Sequence, residues 1–544
     1  LGAAKKKHAE VALDGVLEYG ERLGQGERGY YFMDSPGNDL ESIAGQVATG
    51  CNAIIFITGN GSITNFPFVP TIKIITTTER YQLLDRDMDF NAGSFQDAGV
   101  PMDELGAGLF AELVAVASGR RSCGERAGHS QVSIWREWAQ QHLPADVSEF
   151  NVTELEGAPL SIAPGAGEAA CDAACLLQAP SVSRRERLGL VLPTSLCSGE
   201  IARQAAEELE RRRAEEGSGG ALAAAFDRFV ALPHTEGCGI GYAGDGEQLF
   251  SRIMIGHLRH ANVAAAMLLE HGCEKTHNAW MKKQLQHRDV DIANYGFASV
   301  QLDGGISNVV DKVYAWFADR AVQMVNRQPP SAELPPTLPV SAFPLALMVE
   351  DAGSAVVSLA VILMRAYVAA SGTVLVPSSS PMLRSPLFLD ELQGNVAPSL
   401  AFAQGASRPG AHIMQVPAGV VSRVELVTGL VAAGAGVVLC LCSSGGGAPR
   451  VLPLVGHPMA RVLKVAVGER SLGATKDAGG GRDGNGCCDL VLTTNVGEDA
   501  EDRGRRWLAA VVELMEGGVA GTLRPISGET VGFQVARGPS GVSA

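Results

Sequence analysis

Residues 31–61 read YFMDSPGNDLESIAGQVATGCNAIIFITGNG. The aromatic run 29–34 reads as a strand that meets the turn Ser35-Pro36-Gly37-Asn38-Asp39. Residues 40–48 carry helical apolar spacing and stop at Gly50, and 52–58 is an unbroken apolar run ending in Gly59-Asn60-Gly61-Ser62. Continuous apolar strands separated by helices belong to parallel sheets covered on both faces, so 52–58 is expected to be a fully buried strand. Another strand, 71–76, follows Pro70. The first 143 residues are therefore expected to form an α/β domain with a largely parallel sheet.

The same order returns at 413–447, IMQVPAGVVSRVELVTGLVAAGAGVVLCLCSSGGG. Pro70-Thr71-Ile72-Lys73 is answered by Pro458-Met459-Ala460-Arg461, and Asn91-Ala92-Gly93 by Asn495-Val496-Gly497. Glycine at matching joints is what two copies of one backbone require. Residues 29–120 and 411–516 are thus expected to share one topology, Pro36 matching Pro417 and Gly50 matching Gly434.

Between the copies lies a second α/β block, 188–327. It reads as a strand at 188–192, a charged helix at 198–213, a strand at 229–232 and a strand at 263–269. Residues 144–187, rich in Ala, Pro, Gly and Ser, read as a linker; Cys171 and Cys175 inside it read as small residues, since structural zinc wants four ligands. Residues 328–339 hold five prolines among twelve residues and mark a second boundary before the final block, 340–544.

The chain has 544 residues, 46% of them apolar and 19% charged, as expected of an ordinary globular protein. A net charge of -15 argues against a nucleic-acid partner, and any anionic substrate would need local cations. The Arg211-Arg212-Arg213 run reads as a solvated helix end. No apolar run approaches the roughly 18 residues of a membrane span. Eleven cysteines without a framework spacing suggest reduced thiols in a cytoplasmic compartment. The chain opens on Leu1 inside what reads as a domain, so a longer parent protein is expected.

The stretch FMDSPGNDLESIAGQVATGCNAIIFITGNGS, with VPTIKIITTT and DRDMDFNAG downstream, resembles the end of the C-terminal catalytic domain of altronate/galactarate dehydratases. Block 188–327 resembles the preceding domain of that family through VLPTSLC, ALPHTEGCG, HGCE and Asp303-Gly304-Gly305. Block 340–544 then looks like a second, degenerate C-terminal-type domain, as in a tandem fusion. Some family features are missing. No Gly-Thr-Arg-Asn precedes VLPTSLC, the Gly-Gly-Ser-Asp loop appears as Ala352-Gly353-Ser354-Ala355, and Glu-Thr-Pro-Glu is reduced to Ser379-Ser380-Pro381-Met382. Arg461 is expected to replace Lys73 in the second copy, which is therefore expected to lack a site of its own.

The resemblance implies several α/β domains with mainly parallel sheets, hydro-lyase activity on a sugar acid, and a divalent metal, Fe2+ first and Mn2+ as the alternative. It leaves open a pseudoenzyme, a sulfo-lyase acting on a sulfonated hydroxy acid, and homo-oligomerisation. Elimination needs a base beside the carboxylate, a cation for the charge that develops there, and help for the departing hydroxide. His234 and Glu236 after one strand are the candidate acid–base groups, with Lys73 as substrate cation or base. Cys197, Cys238, Cys273 and Glu274, each just beyond a strand end, are candidate metal ligands, joined by Asp87 and Asp89, which share one side of an extended segment. Cys197 opens a helix whose dipole is expected to lower its pKa. The loop Thr58-Gly59-Asn60-Gly61-Ser62 and Asn91 are candidate substrate contacts.

Overall fold

The computed structural model describes residues 8, 10–133, 154–162, 186–238, 245–327, 340–392, 396–417, 420, 422–444, 456–469, 489–494 and 498–516. Cys171, Cys175, the Pro-rich segment 328–339 and Asn495-Val496-Gly497 lie outside these residues. Every strand pair within the sheets is parallel, as the alternation of strands and helices predicts.

In the first unit β1 (Gly15–Leu17) pairs with β2 (Tyr31–Met33), and a second sheet has the order β3 (Ile54–Thr58), β4 (Thr71–Ile75), β5 (Phe90–Asn91). Helix Asp39–Thr49 links β2 to β3. Asn38 Oδ1 caps it by accepting from the Leu40 and Glu41 amides, and Gly50 ends it at φ +120°, where a side chain would be strained. The expectation of a fully buried strand at 52–58 is corrected here. β3 lies at a sheet edge and leaves Ile55 and Ile57 exposed, while β4, between two neighbours, is buried throughout.

The middle unit is a four-stranded sheet ordered β7 (Arg228–Ala231), β6 (Leu188–Pro193), β8 (Val263–Glu270), β9 (Tyr295–Ser299). Helices Leu196–Glu216 and Gly305–Arg327 cover one face. The other face shares a core with the last unit, where helix Asp245–Leu258 meets helix Arg423–Ala432. Gly256 permits that approach, since a Cβ there would strike the Ala432 carbonyl. Arg211 and Arg213 pair with Glu208, Glu215 and Glu210 one turn away, so the basic run is a solvated helix face.

The last unit is one six-stranded sheet, ordered β12 (Gly410–Met414), β11 (Thr373–Pro377), β10 (Leu345–Val349), β13 (Val437–Ser443), β14 (Arg461–Glu469), β15 (Leu490–Thr494). Residues 154–162 of the expected linker dock on it, through Leu160 to Ala411 and Leu155 to Gln404.

The order β12–helix–β13–β14–β15 matches β2–helix–β3–β4–β5, with Pro36 and Pro417 each between strand and helix and Gly434 at φ +102° answering Gly50. In the last unit β11 and β10 join β12 to β13 in one sheet; in the first, β2 and β3 belong to separate sheets. Register corrects one expected equivalence. Lys73 donates its amide to Asp89 Oδ2 at 2.9 Å and accepts from the Asp89 amide; Lys464 does the same with Asp489, at 2.8 and 3.0 Å. The following residues pair Ile74 with Phe90 and Val465 with Leu490. Lys464 therefore occupies the place of Lys73, and Arg461 lies three residues earlier, donating to the Met515 carbonyl. β4 begins directly after Pro70, whereas β14 begins three residues after Pro458, so the two prolines do not mark equivalent positions.

Candidate active site

Three adjacent strands of the middle sheet, β7, β6 and β8, end at one rim and deliver His234 to Cys238, Thr194 to Cys197, and His271 to Glu274. This is where an open parallel sheet presents its ligands. Two glycines let the loops meet. Gly237 (φ +100°) packs on the Thr194 carbonyl and Ser195, and Gly272 (φ +129°) packs on Gln301; a Cβ at either would clash.

Glu274 ties the rim together. Its Oε1 accepts from Thr194 Oγ1 (2.8 Å), Ser195 Oγ (3.0 Å) and the His271 amide (2.8 Å), and its Oε2 accepts from the Gly272 amide (2.6 Å). These donors and the neighbouring His271 favour the carboxylate form against the cost of burial. His271 Nδ1 lies 3.2 Å from Cys273 Sγ, and one ligand atom each of His271, Cys273 and Glu274 falls within 4.8 Å of the others. Cys197 Sγ and Cys238 Sγ are 4.0 Å apart beside this group.

The helix dipole does not lower the Cys197 pKa, as had been expected. Its contact with Cys238 and its burial push the thiol well up, and burial does the same to Cys273. Asp39 of the first unit also faces this rim; burial raises its carboxyl to about 6. The donor set of imidazole, thiols and carboxylate fits a borderline divalent ion such as iron. A cation there would draw the protons off the thiols.

His234 is held differently from expectation. Its Nε2 lies 2.9 Å from the Pro193 carbonyl and its Nδ1 accepts the Glu236 amide at 3.1 Å. Both ring nitrogens are thus occupied, and burial depresses its pKa to about 4. Neutral His234 thus pins the β7 loop to the end of β6. Glu236 is buried beside it, its carboxylate accepting from Thr235 Oγ1 and its carbonyl from the Leu196 amide.

The first unit docks over the rim. Gln301 Nε2 donates to the Gly61 carbonyl (2.8 Å), Arg80 to the Gln301 carbonyl (2.9 Å), and Gln131 to the Leu196 carbonyl (3.0 Å). Asp87 Oδ2 accepts from the Ile306 amide (2.9 Å) at the start of helix Gly305–Arg327, and Asp89 accepts from the Lys73 and Cys123 amides. These carboxylates are committed to backbone donors. In the structure they hold the start of helix Gly305–Arg327, the start of helix Cys123–Arg126 and the seam between units. Asn91 is likewise used locally, accepting from the Gly93 amide and donating to Thr78.

In the 58–62 loop, Thr58 Oγ1 accepts from the Gly61 amide and Ser62 pairs with Thr64 at 2.9 Å. Gly59 and Asn60 sit in the exposed bend between them. The Gly61 carbonyl of this loop reaches the middle unit, through Gln301. Lys73 is fully buried on β4, its Nζ without a hydrogen-bond partner, and burial lowers its pKa against the pull of Asp87 and Asp89.

Two residues at this seam escaped the sequence reading. His129 stands in no strand-end motif. His271 was in view within His-Gly-Cys-Glu, and its place one residue past β8 was the signal available.

Comparison with known proteins matches the same two units. The D-galactarate/Altronate dehydratase C-terminal family model covers residues 1–140, and the D-galactarate dehydratase/Altronate hydrolase second-domain model covers 188–324. The chain belongs to the altronate/galactarate dehydratase family. It is 33% identical over 136 residues to the altronate dehydratase of Escherichia coli K12, covering 25% of this chain and 26% of that protein. It is 31% identical over 131 residues to the galactarate dehydratase (L-threo-forming) of the same organism, covering 24% and 25%. Against the (2R)-sulfolactate sulfo-lyase subunit beta of Chromohalobacter salexigens it is 27% identical over 136 residues, covering 25% and 34%. The chain thus spans about a quarter to a third of each of these dehydratase-family relatives. Among the described residues no helix is long and apolar enough to cross a membrane.

Proposed function

We propose that this dehydratase-family chain carries the site of a metal-assisted hydro-lyase, which removes water from a hexonate or hexarate to give a 2-keto-3-deoxy acid. The observation that carries the reading is the meeting of Cys197, Cys238, His271, Cys273 and Glu274 at three neighbouring strand ends, under a docked first unit that brings Lys73. Cys273, Glu274 and His271 would hold the ion, with Cys197 and Cys238 beside them; bound there, ferrous iron or Mn2+ supplies Lewis-acid polarisation of a substrate oxygen. Lys73 offers its cation to the carboxylate where charge develops, in surroundings closed to water that strengthen the attraction. Glu274, saturated on Oε1, keeps the rim in register.

Release of sulfite from a sulfonated hydroxy acid is the second reading, favoured by the likeness to a sulfolactate sulfo-lyase subunit. We also propose that the last unit is a second copy of the first, retaining Lys464 and Asp489 on the same backbone.

The test is an anaerobic assay on altronate, galactarate and sulfolactate after loading with ferrous iron. Turnover of one of them, reduced by about 10²-fold or more in both Cys273→Ser and Lys73→Ala, is expected. Full turnover in Cys273→Ser, or a protein that takes up no iron, refutes the metal-assisted reading.

A further inference from the structure

Cys197 Sγ and Cys238 Sγ face each other 4.0 Å apart beyond the ends of β6 and β7, beside the His271–Cys273–Glu274 group. A disulfide asks for Cα atoms about 4.4–6.8 Å apart and for sulfurs that close to about 2.05 Å. The backbones that carry these two thiols are already in contact. The Leu196 amide donates to the Glu236 carbonyl at 2.8 Å, and Gly237 lies so near the Thr194 carbonyl and Ser195 Cα that a Cβ there would clash. Cys197 follows Leu196 directly and Cys238 follows Gly237, so side-chain rotation is what remains to bring the sulfurs together.

The two thiols differ in access. Cys197 is buried in the first turn of helix Leu196–Glu216 and packs with Leu40 of the first unit, whereas Cys238 is half-buried. Of the pair, Cys238 is therefore the sulfur that an oxidant in solution meets first, and Cys197 is the sulfur waiting beside it. Cys273, also at this rim, turns to His271 Nδ1 at 3.2 Å. An accessible thiol with a second thiol poised next to it is the arrangement that halts oxidation at the reversible disulfide.

We propose that Cys197 and Cys238 are a reversible dithiol–disulfide couple, oxidised by a hydroperoxide, and that closing the bond competes with ion binding at the rim. The Cys238 sulfur attacks the peroxide; an S–O bond forms, the O–O bond breaks, and the thiol proton leaves on the departing oxygen as water. The Cys197 sulfur then attacks the Cys238 sulfenic acid; the S–S bond forms, the S–O bond breaks, and the Cys197 proton leaves with the hydroxyl as a second water. Two thiols lose two electrons and the peroxide gains them. A dithiol reductant reverses the bond by exchange. The disulfide offers no thiolate, so two soft donors are withdrawn from beside Cys273 and Glu274 when it closes. The competition rests on the metal-assisted reading given above; the couple itself does not.

The metal-free full chain is treated with hydrogen peroxide, alkylated, digested and mapped by mass spectrometry. The expected product is a pair of peptides joined through Cys197 and Cys238, two hydrogens lighter than their sum, which dithiothreitol separates. Cys197→Ser is expected to leave Cys238 as a sulfenic acid that dimedone traps, and Cys238→Ser to leave the buried Cys197 reduced at the same dose. No joined pair in the unaltered chain, a pair joined through Cys273 instead, or oxidation of Cys197 undiminished in Cys238→Ser overturns the couple. Zinc, which is redox-inert and takes thiolate ligands, provides the second arm. Its uptake by the reduced chain is measured by calorimetry, and saturating zinc is expected to slow formation of the joined pair by at least about tenfold. Zinc that binds without slowing the reaction overturns the competition alone. A chain that takes up no zinc overturns the competition together with the metal-assisted reading, and the joined peptides then still stand for the couple.

Discussion

Replacing Lys73 by Met should stabilise the protein while disabling it. The side chain is fully buried, its ammonium has no hydrogen-bond acceptor, and Asp87 and Asp89, whose charges act on it, already accept from backbone amides. Met keeps the length of the aliphatic stem and removes the charge. Exchanging a poorly compensated buried charge for a well-packed apolar group commonly stabilises by about 1–4 kcal/mol; some lost attraction to Asp87 and Asp89 places the expectation at about 1–3 kcal/mol at pH 7.

The pH dependence gives a sharper check. Burial lowers the Lys73 pKa in the folded protein below its usual 10.5. Between that lowered value and 10.5 the unfolded chain binds a proton that the folded chain does not, so wild-type stability at this site rises with pH across the window. The Met variant has no such rise. Its advantage should be largest below the folded pKa and fade as pH approaches 10.5. Urea denaturation of both proteins between pH 7 and 10 measures this. A Met variant destabilised by more than about 1 kcal/mol at pH 7, or a difference that does not change with pH, would show that Lys73 is a satisfied structural charge.

Three other outcomes are expected. The stacked pair His257 and His457 joins the middle and last units with Nε2 atoms 3.4 Å apart, and burial depresses His257 to about 3; the unfolded chain takes up protons first as pH falls from about 6.5, so stability should drop through that range, and His257→Gln should flatten the slope in acid denaturation. Asp87→Ala strands the Ile306 amide and should loosen the seam by about 1–3 kcal/mol, seen as faster hydrogen exchange at the start of helix Gly305–Arg327, while Asp87→Asn, which keeps an acceptor, should lose less; equal exchange in all three proteins counts against the docking role. Ferrous iron added anaerobically should release at least one proton per ion, since burial keeps the Cys273 and Cys197 thiols protonated beforehand, and Cys273→Ser should reduce both uptake and release; uptake without proton release argues against thiolate ligation.

The sequence by itself determined β2, its helix, β3 and β4 of the first block, β6, β7, β8 and helix Leu196–Glu216 of the middle block, and the β12–helix–β13 run of the last, because apolar periodicity and the Asn38, Gly50 and Gly434 joints are local signals that need no partner. It also determined that Cys197, Cys238 and Cys273 would share a rim, since residues just past neighbouring parallel strands emerge on the same side. Only the tertiary structure decided what those residues do. Both ring nitrogens of His234 meet backbone groups, the Pro193 carbonyl and the Glu236 amide, which its place in the loop does not announce. Asp87 Oδ2 and Asp89 Oδ1 accept from the Ile306 and Cys123 amides, partners that lie 219 and 34 residues away in the chain. Lys464 answers Lys73 through strand register, which a loop of different length hides from a linear comparison. Gln301 meets Gly61, and Asp87 the Ile306 amide, only because the first unit docks on the middle one. Contacts across a seam depend on the packing of whole units, and no local pattern in the chain encodes them.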